Sequence, residues 1–323
     1  MSVATGIGSL PGEDFAHAVR IVFEELPDLP HLPELPARGP VADLTGRAVA
    51  ITSDLGFDLQ PAGWRLTDAA GVDHRRARSR LAQDLDVLEE EAQGYEGRLK
   101  VQVAGPWTLA SMIEKPRGDK VLSDSGARRD LAQALAEGVR VHLADVQRRV
   151  PRAELVLQVD EPALPFVLAG QVPTASGFSR HRSVRPPQAT DALEQVLAAA
   201  GDAFTVVHCC AADVPVALLR RAGAGGVSVD LSVLAAGAYE ELATALDEGA
   251  DVVLGVVPST GEAPSSTRST LDRVLRLLDM LGFDPDEVSA QLVLSPACGL
   301  AGASSAYAQS ALRAVRAAAA ELG

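Results

Sequence analysis

The feature that most constrains this chain is an alternation in its C-terminal half. Four short apolar runs, residues 203–207, 226–229, 251–254 and 291–294, each end in small or polar residues, and each is followed by a helical segment. Runs with no polar alternation belong to strands covered on both faces, and strand-helix repetition requires parallel pairing through right-handed crossovers. The following helices read as 214–222, 239–248, 267–282 and 304–322. Upstream, residues 3–9, 47–52, 99–103 and 154–159 read as strands, and 13–26, 73–93, 125–150 and 192–200 as helices.

That makes about eight strands, with neither a Gly-x-Gly-x-x-Gly turn nor a P-loop. The expectation is an α/β fold, a single (β/α)8 TIM barrel over residues 1–323, with its active site at the C-terminal ends of the strands. Two stretches stand outside the pattern. Residues 27–40 are too proline-dense for regular structure and read as a rim segment or an oligomer arm. Residues 171–188, rich in Pro, Ser, Arg and His, read as a lid or an ordinary surface insertion.

Hydrophobic residues are 47% and charged residues 22%, enough apolar surface for a large core and against general disorder. The formal charge of -14 repels nucleic acid and anionic membrane surfaces, so neither is an expected partner. The N-terminal residues lack the basic region and long apolar run of a signal peptide, and no apolar run is long enough to span a bilayer. A cytoplasmic protein is expected. Three cysteines, two of them adjacent, suit a metal site in a reducing compartment better than a disulfide framework.

The first C-terminal run ends in His208-Cys209-Cys210, and the last leads to Cys298. Imidazole and thiolate are the ligand types zinc prefers, and a catalytic zinc keeps a position open for substrate. His208 and Cys210 are two apart, so at an extended strand end they share a side and Cys209 points away. Asp230 ends the next strand, where its carboxylate can face the same centre. His208, Cys210, Cys298 and Asp230 are therefore the candidate metal ligands.

Asp160-Glu161 ends another apolar strand, and adjacent carboxylates there either face a cleft or form surface salt bridges. Gly6 and Gly8, after the first strand, either let backbone approach a ligand or make a plain turn. Trp107 sits at a strand end, in packing or in ligand contact.

Taken together, Ile7-Gly8-Ser9, Gly105-Pro106-Trp107-Thr108, Asp160-Glu161-Pro162-Ala163-Leu164, His208-Cys209-Cys210 and Pro296-Ala297-Cys298-Gly299-Leu300 span nearly the whole length. In order and spacing they resemble the catalytic half of cobalamin-independent methionine synthase, in the barrel superfamily that includes uroporphyrinogen decarboxylase. The chain looks like the short, single-barrel form, without the duplicated N-terminal half of the long enzymes.

The resemblance implies a Zn2+-dependent methyltransferase that methylates the thiol of homocysteine to give methionine. It implies His208, Cys210 and Cys298 as zinc ligands, with Asp230 where the family usually has glutamate, and Asp160 and Asp230 as catalytic residues. Ile7, Gly8, Ser9 and Asp160 match positions that hold homocysteine, and Trp107 lies near the position associated with the methyl donor. Two departures leave the donor open between a methyltetrahydrofolate, as polyglutamate, and a methyl-corrinoid protein. Residues 258–262 carry no histidine, where the family has one that protonates the departing folate, and Phe166 stands where long enzymes carry a folate-contacting glutamate. The competing readings are a porphyrinogen-type decarboxylase, whose arginines would be Arg180, Arg182 and Arg185, and a non-catalytic barrel that binds homocysteine or methionine.

Overall fold

Apolar strands and the helices between them build a curled parallel sheet in a computed structural model that describes residues 2–264 and 266–323. Among the described residues the strands are β1 (Val3–Ala4), β2 (Gly56–Gln60), β3 (Gly63–Thr67), β4 (Gly97–Ala104), β5 (Ala153–Asp160), β6 (Phe204–Cys209), β7 (Gly226–Asp230), β8 (Asp251–Val257) and β9 (Leu292–Pro296). The sheet runs β1-β9-β8-β7-β6-β5-β4, every neighbour parallel, with helices outside.

The eighth stave is the proline-dense segment, contrary to the expectation of a rim or arm. Residues 30–34 lie between β4 and β1: Leu32 N–H donates to the Lys100 carbonyl at 2.8 Å, and Glu34 N–H to the Gly8 carbonyl at 3.1 Å. Pro30 and Pro33 have no N–H to give, so the pairing shrinks to isolated bridges, His31 with Lys100 and Ser9 with Glu34. This stave closes the barrel.

The strand expected at 47–52 is instead the helix Leu44–Ile51, whose N-cap Asp43 accepts a hydrogen bond from Gly46 N–H at 2.7 Å. A short Ala/Val run has no intrinsic preference strong enough to resist a capped, packed helix. An antiparallel hairpin, β2 with β3, follows it; alternation there is too weak to read in sequence.

Strand alternation sorts the barrel's interior into layers. Val3, Leu29, Val156, Val206, Val253 and Val293 form an apolar floor separate from the main core. Two residues further along the same staves come Thr5, His31, Gln158, His208 and Ser295, all buried, and Gln158 is followed at the next inward position by Asp160. Lys100 and Gln102 of β4 pair in register with Val156 and Gln158, so they also point inward. Outward positions such as Val159, Val207, Val229 and Leu254 join the helices in the main core.

A candidate metal and amino-acid site at the barrel mouth

The side chains above the floor rise toward the C-terminal ends of the strands. There they border a cavity of about 240 Å3, whose lining includes Ile7, Gly8, Ser9, Glu34, Asp43, Thr45, Met112, Asp160, His208, Cys210, Cys298 and Gly299. A larger groove of about 580 Å3 lies at the opposite ends of β4, β5 and β6, lined by Arg98, Glu154 and Phe204 among others; none of the candidate site residues borders it.

β6 carries His208 inward, and the chain just beyond it carries Cys210. The segment after β9 carries Cys298 to meet them. Cys298 Sγ lies 3.3 Å from Cys210 Sγ and 3.9 Å from His208 Nε2, and the three donor atoms are mutually within 4.8 Å. Bond lengths to zinc imply S···S of about 3.8 Å and S···N of about 3.5 Å around a tetrahedral ion, so this donor set fits one. His208 Nδ1 bonds Ser228 Oγ at 2.8 Å, which fixes the ring and turns Nε2 to the sulfurs. Cys209 lies between the two β6-end ligand candidates and is buried in the helix-facing core.

The two thiols shift each other in opposite directions. The hydrogen bond with Cys210 and the neighbouring His208 hold the Cys298 thiol well below its usual range, despite burial. The Cys210 thiol is pushed far up, first by its hydrogen bond with Cys298 and then by burial. A thiolate beside an imidazole is what a soft divalent cation would bind.

Carboxylates border the same cavity. Asp160 is 5% exposed, and its Oδ1 accepts a 2.7 Å hydrogen bond from Gln158 Nε2. Burial raises its pKa, against the pull of His208 and Lys100. Glu34, on the proline-rich stave, is likewise raised by burial and lowered by Arg47 and Gln102. Burial pushes the Lys100 ammonium down, while Asp160 and Glu34 push it up. His31 is fully buried, with both ring nitrogens unpaired, and burial followed by Lys100 drives its pKa well below the usual value.

The Ile7-Gly8-Ser9 turn is held against the last metal-ligand candidate: Leu300 N–H donates to the Ser9 carbonyl at 2.8 Å. A Cβ on Gly299 would lie 2.1 Å from Ser9 Oγ, so glycine leaves room for the Ser9 hydroxyl in this position. Beside it, Cys298 N–H donates to Ser259 Oγ at 2.9 Å.

Not every expected residue arrives. Asp230 turns its Oδ1 to the N–H and hydroxyl of Ser232, at 2.8 and 2.6 Å, and stands outside the His208-Cys210-Cys298 group. One residue past the strand's last apolar position, its short side chain closes a local turn in preference to reaching the centre. Trp107 is buried, donates its indole N–H to the Ala189 carbonyl at 3.0 Å, has Arg128 over its ring, and does not border the cavity. Phe166 is half-exposed on the short helix Leu164–Leu168.

Glu161 explains why two of the motifs occur together. Its buried carboxylate accepts from Trp107 N–H at 2.9 Å and from Thr108 N–H and hydroxyl, both at 2.8 Å, capping the helix Pro106–Met112. A Cβ on Gly105 would lie 2.4 Å from Glu161 Oε1. Of the adjacent acids, Asp160 thus serves the cavity and Glu161 the scaffold.

Sequence reasoning missed Glu34, hidden by the proline-dense segment, Asp43, which caps the helix misread as a strand, and Lys100, Gln102 and Gln158. A signal for the last three was present: Lys100-Val-Gln102 and Gln158-Val-Asp160 place polar residues at period two inside otherwise apolar strands.

The family described as cobalamin-independent synthase, catalytic domain, matches residues 86–321. The chain belongs to that family. Methyl transfer to homocysteine is the activity the family supports, and its members in general depend on zinc.

A solved B12-independent methionine synthase from Shewanella sp. W3-18-1, in complex with selenomethionine, superposes with a TM-score of 0.64 at 13% identity, covering 99% of this chain and 97% of that one. It supports the barrel fold of this family member. Two others superpose less well. A 2,3-dimethylmalate lyase gives 0.38 at 10% identity over 91% of this chain and 76% of that one. A GH5_18 protein from Streptomyces cattleya in complex with Manb1-4GlcNAc gives 0.45 at 16% over 99% and 80%. No curated protein sequence matches the chain. Among the described residues no helix is long and apolar enough to cross a membrane.

Proposed function

We propose that this cobalamin-independent synthase domain acts as one barrel and transfers a methyl group to the thiol of homocysteine, forming methionine, with zinc held by His208, Cys210 and Cys298. The observation that carries the reading is the meeting of those three side chains at the rim of a cavity that also presents Asp160 and the Ile7-Gly8-Ser9 turn. Zinc bound there would act as a Lewis acid and make a coordinating thiol a thiolate near neutral pH.

The protein's own residues position the amino acid. Asp160 and Glu34 face the cavity as partners for an ammonium group, and the backbone and hydroxyl of Ile7, Gly8 and Ser9 are partners for a carboxylate. Holding both ends directs the side-chain sulfur and lowers the entropic part of the barrier. In the transfer the sulfur-methyl bond forms as the donor's bond to the methyl breaks, and that bond's electron pair leaves with the donor.

Both donors, a methyltetrahydrofolate polyglutamate and a methyl-corrinoid protein, remain candidates. Ser259, in the loop where the family carries a proton-donating histidine, is engaged in holding Cys298. The decarboxylase reading loses support, since among the described residues acidic side chains and no arginine border the cavity. Free thiols 3.3 Å apart suit a reducing, cytoplasmic setting.

The test is methionine formation from L-homocysteine with each donor separately, using zinc-loaded protein. Turnover with either donor supports the proposal. Homocysteine binding without turnover by either would instead leave a binding barrel, and absence of binding would refute the site.

A further inference from the structure

We propose that Lys100 and Gln158 are the positioning pair of the amino-acid subsite, setting through one branched group of hydrogen bonds the aim of both its ends. The inference rests on the reading of the cavity as a homocysteine site. Neither residue is part of the cavity wall; both act through the groups that are.

The argument starts from donor and acceptor inventories. Lys100 is 2% exposed, and its ammonium donates to the Ile7 carbonyl at 2.9 Å and to Gln158 Oε1 at 2.7 Å. An ammonium only donates, so Gln158 must turn its oxygen to Lys100 and its NH2 away. That NH2 donates to the Ile7 carbonyl at 2.9 Å and to Asp160 Oδ1 at 2.7 Å. With Oδ1 taken, Oδ2 is the oxygen Asp160 has left for an ammonium.

The same pair fixes the other end. Two donors converge on the Ile7 carbonyl, and because the peptide is planar and trans, they also fix the direction of the Gly8 N–H. The aim of the carboxylate and of the turn therefore depends on one buried cation, acting through one amide.

Burying this polar column is costly unless each member is satisfied. The floor below it shows that the same barrel packs valine in the adjacent layer. Structure alone does not require a lysine here.

The test is calorimetric binding to zinc-loaded wild type, Lys100→Met, Gln158→Leu and the double variant, with L-homocysteine and with propanethiol, which has neither the ammonium nor the carboxylate. Each single variant is expected to weaken L-homocysteine binding at least about tenfold, about 1.4 kcal/mol, while propanethiol affinity and zinc content stay at wild-type values. The double variant should lose no more than the weaker-binding single, because the two act in series. If Lys100 only neutralised nearby carboxylates, Gln158→Leu would bind homocysteine normally, and that result overturns the proposal. Parallel loss of homocysteine and propanethiol binding, which marks general damage, also overturns it. Should Lys100→Met fail to fold, Gln158→Leu decides by the same criteria. A wild type that binds homocysteine no better than propanethiol would instead sink the site reading itself.

Discussion

Replacing Asp160 by asparagine should separate binding from folding. In the wild type, Gln158 donates to Oδ1, and Gln158 cannot rotate because Lys100 requires its oxygen. Asparagine must therefore keep its carbonyl toward Gln158 and turn its NH2 to the cavity, where the substrate ammonium would meet a donor instead of an acceptor. A hydrogen bond to a charged group is worth about 1.5–3 kcal/mol, so homocysteine affinity should fall between about tenfold and a hundredfold or more. Burial already raises the Asp160 pKa, so the neutral amide also removes a desolvation cost, and thermal stability should hold or rise. The assay is the KM for L-homocysteine together with Tm and zinc content. An unchanged KM, or a loss of zinc in the variant, would refute the assignment of Asp160 to the ammonium end.

Other expectations follow from single contacts. Asp230→Ala should retain zinc by metal analysis, because the carboxylate is engaged by Ser232; loss of zinc would return Asp230 to the ligand set. Glu161→Gln sets an amide NH2 against the N–H donors of the Trp107 helix and should destabilise by about 1–3 kcal/mol, read by denaturant unfolding. Buried His142 has its pKa lowered to about 4, by burial and then by Arg47. It is neutral in the fold but takes a proton when unfolded, so stability should be lost as pH falls from about 6.5 to about 4, by up to about 3 kcal/mol. His142→Gln should flatten that part of the stability-pH curve, and an unaltered slope would exclude His142 as its source.

The barrel was legible because each C-terminal stave repeats one pattern, apolar run, polar end, helix, and each reads locally. Residues 30–34 and 47–52 were not legible, for opposite reasons. Prolines hid a stave that tertiary packing holds with a few backbone bonds, and a capped helix overrode a run with no strong preference of its own. At the site, His208, Cys210 and Cys298 could be grouped by ligand chemistry together with their places at strand ends. Glu34 could not, since its place depends on the stave around it. Asp230 was placed by strand position and Trp107 by the family resemblance, neither of which determines where a side chain turns: a local serine took one and a helix carbonyl the other.

The central claim is that two sulfurs and one imidazole nitrogen grip a zinc ion at the barrel mouth. Metal analysis with X-ray absorption on the purified chain tests it directly. The account predicts one zinc per chain with two sulfur ligands, lost in Cys298→Ser. A wild type that takes up no zinc, or a Cys298→Ser variant with the same zinc content and sulfur count, would contradict it.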